Sequence, residues 1–203
     1  MADPKPAFTA DEALARLVAG NERFVSERGR SQAMAKETLA DLAKGQRPFA
    51  TIIGCSDSRV PPELIFDAGF GELFIVRVAG NVVSPEVMGS MQYAAVHLHT
   101  PLFVVLGHEG CGAVAAALAA LRGGPTEREH IELLLDRIEP GLTGVDTSLP
   151  ADVQLATAVE ANVRWALKQI RDTPEGQARM REGILRLEGA VYELKTGHVR
   201  FLR

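Results

Sequence analysis

The pattern of apolar and polar positions along the chain begins with two helical segments. Thr9 and Glu12 have the form of a capping box, and apolar residues then recur at helical spacing. This pattern predicts an amphipathic helix that runs to about Arg28, and a second short helix is predicted over 34–44. Because both precede the chemically interesting part of the chain, we interpret 1–45 as an N-terminal helical arm.

Three apolar runs of strand length follow the arm, at 49–54, 73–78 and 102–106. Their continuous apolar character is typical of buried parallel strands. Between the last two runs, Ser84 and Pro85 are a capping residue and a first-turn proline, and they predict a helix that connects the two strands. The segment therefore predicts a strand-helix-strand unit.

The second half of the chain is mostly helical in pattern and ends in strand-like segments. A glycine pair at Gly123 and Gly124 ends the first of its helices. We predict a single domain over 1–203 of the α/β class, with a central, mostly parallel β-sheet flanked by helices, the helical arm, an α/β core over 46–203 and a C-terminal β-hairpin. The predicted helices cover 113–121, 127–138 and 151–171, and the hairpin is built from 191–194 and 199–201 around Lys195-Thr196-Gly197-His198.

Composition and charge narrow the classes of function. The 203 residues are 46% hydrophobic and 24% charged, which is typical of a soluble globular protein. Lys and Arg total 22 against 26 Asp and Glu, and the net charge of -4 disfavours binding to nucleic acid or to an anionic membrane. The N-terminus has no apolar run of signal-peptide length, and the later apolar stretches are far shorter than a membrane span, so we expect a cytoplasmic protein.

The chain has two cysteines, Cys55 and Cys111. In a reducing cytosol a structural disulfide is disfavoured, which leaves buried thiols or metal ligands as the alternatives. Cys55 comes where the first apolar strand ends, and Asp57 and Arg59 follow it; if the backbone stays extended there, all three side chains point to the same side. His108 comes where the third strand ends, and its spacing from Cys111 predicts that both lie on one face of an opening helical turn.

Ligand sites in open α/β sheets gather at the carboxyl ends of the strands, where these residues are expected. Thiolate and imidazole groups together favour zinc over magnesium or calcium. Three protein ligands leave a fourth position for water or for Asp57, and an open position is typical of a catalytic zinc rather than a structural one. Alternatively, Asp57 and Arg59 are an ordinary surface ion pair. The remaining histidines, which lack such company and are interpreted as helix-surface or packing residues, are His97, His99, His130 and His198.

The order of the motifs C-S-D-S-R, A-G-N and G-H-x-x-C-G resembles the β-class carbonic anhydrases, most clearly over 48–114. The resemblance implies one Zn²⁺ per chain, held by Cys55, His108 and Cys111. It also implies that Asp57 and Arg59 are a catalytic pair beside the metal, and that Asp57 is itself a ligand only in a closed form of the site.

The resemblance extends to the substrate pocket. It assigns Gln46, Phe74, Tyr93 and Gly112 to substrate binding, whereas the alternatives are a polar loop residue for Gln46, strand core for Phe74 and helix packing for Tyr93. Another branch of the family has a Trp three residues before the first zinc cysteine, as part of a regulatory bicarbonate site that also uses an arginine. Here that position is Ile52, although Arg77 matches the arginine. The resemblance thus favours a plant-type pocket.

The function implied by the resemblance is the reversible hydration of carbon dioxide to bicarbonate and a proton, by a zinc lyase that forms a homodimer or a dimer of dimers. Within enzymes, the alternative is a hydrolase of carbon disulfide or carbonyl sulfide on the same zinc site. A non-catalytic zinc-storage or redox-sensing protein is a further alternative. Asp57 and Arg59 beside an open coordination position argue against that last class, since storage requires neither.

Overall fold

A five-stranded sheet in the order β2-β1-β3-β4-β5 forms the centre of the molecule. The first four strands are parallel, and β5 is antiparallel to β4. A computed structural model describes residues 7–30, 36–183 and 185–203. The strands are β1 (Ala50–Gly54), β2 (Leu73–Arg77), β3 (Leu102–His108), β4 (Arg186–Tyr192) and β5 (Val199–Phe201), and the helices are α1 (Ala10–Val25), α2 (Lys36–Leu42), α3 (Pro62–Ile65), α4 (Pro85–His97), α5 (Gly112–Ala120), α6 (Glu129–Leu142), α7 (Ala151–Arg171) and α8 (Pro174–Arg181), with a 3-10 turn at Ala79–Asn81.

The predicted α/β fold with a mostly parallel sheet is confirmed, including its local signals. The capping box at Thr9 makes both of its reciprocal hydrogen bonds, and α1 begins at the next residue. Ser84 caps α4 and Pro85 is its first residue. The first part of the second predicted helix, 34–35, lies outside the described residues, and α2 is seen from Lys36.

The C-terminal hairpin differs from its prediction in the length of its first strand. β4 begins at Arg186, and it pairs in parallel with β3 along its whole length as well as antiparallel with β5. Two short helices, α3 and α8, were not predicted. The signal for α8 was present, because Thr173 is its capping residue and Pro174 its first residue.

The two faces of the sheet bury separate apolar clusters. On one face, Ile53 and Val105 pack with residues of α4, α5, α6 and α7. On the other face, Ile52 and Val104 pack with residues of α1 and α3, including the fully buried Leu17. The first helix of the predicted arm therefore packs against the sheet of its own chain. Along the described chain, no helix combines the length and the apolar character needed to cross a membrane.

Helix α7 approaches the sheet most closely where β3 and β4 carry glycines. A Cβ atom on Gly107 would lie 2.6 Å from Cγ2 of Val163, and one on Gly189 would lie 3.0 Å from Cγ1 of the same valine. A side chain at either position would push the helix outward. This close contact places the middle of α7 beside the carboxyl end of β3, where the candidate site begins.

Candidate metal centre

Cys55, His108 and Cys111 are brought together at the carboxyl ends of β1 and β3. One ligand atom from each residue lies within 4.8 Å of the other two, and all three residues are buried. The parallel register causes the meeting, because Gly54 at the end of β1 pairs with Leu106 of β3 and the next residues of both strands lie at the same edge. Two distant parts of the chain thus supply one group of ligands.

The sulfur of Cys55 accepts two backbone hydrogen bonds. The N–H of Asp57 lies 3.4 Å from Sγ, and the N–H of Gly80 lies 3.3 Å from it. The pKa of Cys55 is lowered most by the neighbouring thiol of Cys111, then by the His108 imidazole and these two backbone N–H groups. Together they outweigh burial, which would raise it. Cys55 is therefore prepared to be a thiolate, which is the form that binds metals.

The imidazole of His108 has one nitrogen occupied and one free. Nδ1 lies 2.8 Å from the carbonyl oxygen of Glu109, which can only accept, so Nδ1 carries the proton. Nε2 is buried without a partner; among the described residues, the other such side-chain atom is Nδ2 of Asn81. Burial alone would lower the pKa of His108, but the nearby Cys55 sulfur and the Glu109 carbonyl outweigh it and raise the pKa. The free lone pair on Nε2 is the feature that a metal ion would satisfy.

Cys111 reaches the group by a different local structure from the one predicted. It is not on one helical face with His108, because the chain leaves β3, turns at Gly110 with φ 61°, and places Cys111 in extended conformation as the capping residue of α5. Spacing alone did not reveal this turn, which depends on a glycine in the left-handed region. The adjacent thiol of Cys55, together with burial, raises the pKa of Cys111.

Asp57 and Arg59 meet by a turn and not along an extended strand, which corrects the expectation for this segment. The N–H of Val60 donates to the carbonyl of Asp57 at 3.0 Å, and this turn folds Arg59 back. Arg59 Nε lies 2.9 Å from Oδ1 of Asp57 and a terminal nitrogen lies 2.7 Å from Oδ2, so the pair is bidentate. The arginine holds the pKa of Asp57 far below its usual range. Oδ2 of Asp57 also lies 3.8 Å from Nε2 of His108.

The donor set fits a metal ion of the soft or borderline class. Two sulfurs and one imidazole nitrogen point into one buried space, and the imidazole lone pair has no other partner. The Asp57 carboxylate is adjacent, but both of its oxygens are engaged by Arg59. Three protein ligands beside a carboxylate held elsewhere are the arrangement of a site with an open position.

The four residues assigned to the substrate pocket come from four different segments of the chain. Phe74 on β2 and Tyr93 on α4 stack with their ring centroids 6.2 Å apart, and Phe74 packs against the apolar cluster that contains Cys111. Gln46 is exposed between α2 and β1, and Gly112 is exposed at the first position of α5. The structure thus joins two of the four by contact.

The two positions that were compared with the regulatory bicarbonate site are Ile52 and Arg77. Ile52 is fully buried in the cluster beneath α1 and α3. Arg77 donates from Nε to the carbonyl of Cys55 at 2.8 Å and from a terminal nitrogen to the carbonyl of Asp57 at 2.5 Å. Arg77 therefore braces the loop that carries Cys55 and Asp57, a role that its strand position did not indicate.

The histidines outside the motif lie away from the metal-capable group, as expected. The ring of His97 lies tilted against the exposed ring of Tyr93 with centroids 4.9 Å apart, and His99 follows α4 with a positive φ. His130 and His198 are exposed.

Besides the bracing role of Arg77, sequence reasoning missed two further residues that support the site. Gly80, within the A-G-N motif, donates its N–H to Cys55, and Asn162 of α7 donates Nδ2 to the carbonyl of Gly80 at 2.9 Å. A signal for Asn162 existed: it is a polar residue on the otherwise apolar stripe between Ala158 and Ala166.

Comparison with known proteins identifies the family of the chain. The family model described as carbonic anhydrase matches residues 50–199. Among characterised relatives, carbonic anhydrase 2 of Mycobacterium tuberculosis strain H37Rv is 39% identical over 189 residues, covering 89% of this chain and 87% of the relative. The carbonic anhydrase of Mycolicibacterium smegmatis is 39% identical over 181 residues, with the same coverage of 89% and 87%.

Solved structures show the same fold. A β-carbonic anhydrase of Coccomyxa, solved in complex with acetazolamide, has a TM-score of 0.73 and 30% identity, and the match covers 93% of this chain and 86% of that one. A β-carbonic anhydrase from Sordaria macrospora, described as tetrameric, has a TM-score of 0.74 and 26% identity, with coverage of 81% and 85%.

Proposed function

Because the chain belongs to the β-class carbonic anhydrases, we propose that it catalyses the reversible hydration of carbon dioxide to bicarbonate and a proton with one bound zinc ion. The observation that carries the proposal is the buried Cys55, His108 and Cys111 group with its unpartnered His108 Nε2, next to the bidentate pair of Asp57 and Arg59. Two thiolates and one imidazole favour zinc among common divalent ions.

The metal and the protein residues have separate tasks. A zinc ion held there would supply a nucleophile near neutral pH, because zinc strongly lowers the pKa of the water that it binds. Cys55, Cys111 and Nε2 of His108 would hold the ion, and the Glu109 carbonyl fixes the imidazole in the tautomer that can bind it.

Asp57 serves as the orienting carboxylate beside the reacting atoms. Since Arg59 holds the pKa of Asp57 far below its usual range, the carboxylate stays ionised throughout the neutral region and acts as a hydrogen-bond acceptor. Its two hydrogen bonds to Arg59 fix its direction, and Arg77 fixes the loop below it through the carbonyls of Cys55 and Asp57. The Asp57 carboxylate is thus preorganised to accept a hydrogen bond from the nucleophile in one orientation.

We further propose that Gln46, Phe74, Tyr93 and Gly112 contribute to substrate binding. The stacked pair of Phe74 and Tyr93 supplies the apolar surface that carbon dioxide needs, and it lies on the same face of the sheet as the ligands. Tyr93 is 49% exposed, which leaves its ring available for contact.

The proposal includes a homodimer or a dimer of dimers working in the cytoplasm. Large apolar side chains are exposed at Leu64, Phe70 and Val96, and covering them would stabilise an assembly. Both cysteines are free, as a thiolate site in a reducing compartment requires. Light scattering at micromolar concentration should report a dimer or larger; a stable, active monomer would contradict this part.

The decisive experiment is a carbon dioxide hydration assay on purified protein before chelation, after chelation and after zinc is returned. We expect about one zinc per chain, loss of activity with the metal, and recovery with zinc. Carbon disulfide and carbonyl sulfide should be assayed in parallel. If the protein hydrolyses either compound but does not hydrate carbon dioxide, the hydrolase alternative is correct. If the protein binds zinc but turns over none of the three substrates, storage or redox sensing is favoured.

A further inference from the structure

Asn162 is a buried polar residue that the proposed chemistry does not use. It lies on the apolar stripe of α7 and is 2% exposed. Its Nδ2 donates to the carbonyl oxygen of Gly80 at 2.9 Å. Burying an amide in an apolar environment costs free energy unless a hydrogen bond compensates for it. The role of Asn162 therefore depends on the carbonyl group to which it donates.

That partner is the turn that touches the first metal ligand. The N–H of Gly80 lies 3.3 Å from the sulfur of Cys55. Gly80 has φ 66°, and a Cβ atom there would lie 2.6 Å from Cδ1 of Ile138, so no other residue fits without displacement. The turn is otherwise held by the N–H of Asn81, which donates to the carbonyl of Val78 at 2.9 Å.

We propose that Asn162 is a positioning residue for the metal centre: by holding the Gly80 carbonyl, it keeps the Gly80 N–H directed at the Cys55 sulfur and so increases the retention of the metal. The inference rests on the metal site of the proposed function. Without Nδ2, the buried carbonyl of Gly80 loses its partner, and the flexible glycine turn rotates to find another. The same rotation moves the N–H away from the sulfur and removes one of the two backbone donors that fix the sulfur in place.

The first test measures metal retention in Asn162→Leu, which keeps a similar volume but has no donor. The protein is loaded with cobalt, and its dissociation constant is determined by competition with a chromophoric chelator. We expect about tenfold weaker binding, at the lower end of the range for residues that act through a ligand, and a shifted sulfur-to-cobalt absorption band. Asn162→Ala, which is easier to accommodate by repacking, should show the same two changes.

Asn21→Leu is the matched control. Asn21 is also a buried asparagine with backbone partners, since Nδ2 donates to the carbonyls of Ile65 at 3.2 Å and Gly197 at 2.8 Å. Asn21 is part of α1, which packs on the face of the sheet opposite to the cluster that contains the cysteine ligands. Asn21→Leu should lower the melting temperature while leaving the cobalt affinity and the absorption band unchanged, whereas a merely structural role for Asn162 predicts the same result for both variants.

The second test uses the unmutated protein and does not depend on the folding of a variant. After exchange with the NMR-active isotope of cadmium, the Gly80 amide proton should show scalar coupling to the metal through the Cys55 sulfur. The side-chain amide protons of Asn162 should shift when a chelator removes the metal, and those of Asn21 should not. Absence of the coupling, or an unmoved Asn162 signal, would overturn the proposal.

The two levels of the hypothesis fail in different ways. If the unmutated chain binds neither cobalt nor cadmium, the proposed function is wrong and the inference falls with it. If the unmutated chain binds both and the Asn162 variants bind them equally well with an unchanged spectrum, the function stands and the positioning role of Asn162 is wrong.

Discussion

Two polar clusters lie on opposite faces of the same sheet and differ in whether the chain satisfies them. The arginine cluster, beneath α1, consists of Arg16, Arg23, Arg30, Asp67 and Glu72. Its carboxylates accept hydrogen bonds from all three arginines and from backbone N–H groups. Two carboxylates face three guanidinium groups, so their negative charge is compensated within the chain.

The metal centre is organised in the opposite way. Cys55, His108 and Cys111 gather two sulfurs and an imidazole in a buried space, and no arginine or lysine contacts the sulfurs among the hydrogen bonds of the described residues. Nε2 of His108 stays without a partner. Two arginines lie nearby, but Arg59 is committed to the Asp57 carboxylate and Arg77 to the backbone carbonyls of Cys55 and Asp57.

The difference separates a structural cluster from a functional one. Arginine cannot lose its charge and binds carboxylates in fixed geometry, so a cluster built from it is complete and inert. A thiol pair with a free imidazole lone pair is incomplete, and burial makes that incompleteness costly. At the carboxyl ends of parallel strands, buried polar groups that lack a partner therefore indicate where a ligand binds, whereas polar groups with all their partners do not.

The largest effect is expected when one cysteine ligand of the metal centre is replaced. In Cys55→Ser or Cys111→Ser we expect zinc content to fall to near zero and hydration to fall to background, because two remaining ligands hold zinc poorly. Metal analysis and a hydration assay measure both quantities. His198→Ala, which replaces an exposed histidine outside the site, should retain both. Full zinc and full activity in either serine variant would make the ligand assignment wrong.

A smaller effect is expected when the carboxylate beside the ligands loses its charge. Asp57→Asn should keep zinc and lose about 100-fold in hydration rate, since an amide can no longer act as the ionised acceptor that Arg59 orients. Zinc content and stopped-flow kinetics together distinguish this from a binding defect. Loss of the metal in Asp57→Asn would show instead that the aspartate is needed to hold the ion.

The pH profile sharpens the role of the two thiolates. Two thiolates cancel the charge of a divalent ion, so the pKa of water bound to the metal should be lowered less than in an all-histidine site. We therefore expect the hydration rate to rise about tenfold between about pH 7 and pH 9. Because the pKa of Asp57 is lowered far below this range, Asp57→Asn should lower the profile without moving its midpoint. Maximal activity near pH 6 with a fall above it would contradict this mechanism.

Much of the fold could be predicted from the sequence because its signals are local. The capping box of α1, the Ser84 and Pro85 start of α4 and the apolar run of β1 each specify their own element. Parallel pairing then places the ends of β1 and β3 together, which is why the three ligands could be proposed from strand ends alone.

The supporting residues could not be predicted in the same way. Arg77, Gly80 and Asn162 act on the site through backbone groups of other segments, and their partners are 22, 25 and 82 residues away in sequence. Periodicity reports which face of an element is buried, not which carbonyl a side chain meets there. The turns at Arg59 and Gly110 were missed for a related reason, since both depend on local hydrogen bonds or backbone freedom and not on spacing.

The last and smallest predicted effect tests the completeness of the arginine cluster. Asp67 is 5% exposed, with φ 44°, and it accepts from Arg23 Nε at 2.5 Å and from the N–H of Arg30 at 2.8 Å. Asp67→Asn keeps the shape and tolerates the positive φ. We expect the free energy of unfolding at pH 7 to fall by about 2 kcal/mol through loss of charged hydrogen bonds, with zinc content and hydration rate unchanged.

The pH dependence of that loss separates charge from packing. Burial alone would raise the pKa of Asp67, but the hydrogen bonds from Arg23 and Arg30 outweigh it and lower the pKa. A lowered folded pKa stabilises the protein fully above the unfolded value of about 4 and progressively less as pH falls below it. Urea unfolding should therefore show the gap between wild type and Asp67→Asn narrowing as pH falls below about 4, and closing only below the lowered pKa of folded Asp67, where both proteins carry a neutral group. Asp172→Asn, at a surface pair with Lys168, is the control and should leave the free energy of unfolding nearly unchanged at any pH, because solvent screens an exposed pair. A gap that stays constant with pH would mean that Asp67 acts through packing, and zinc loss in Asp67→Asn would mean that the two clusters are not independent.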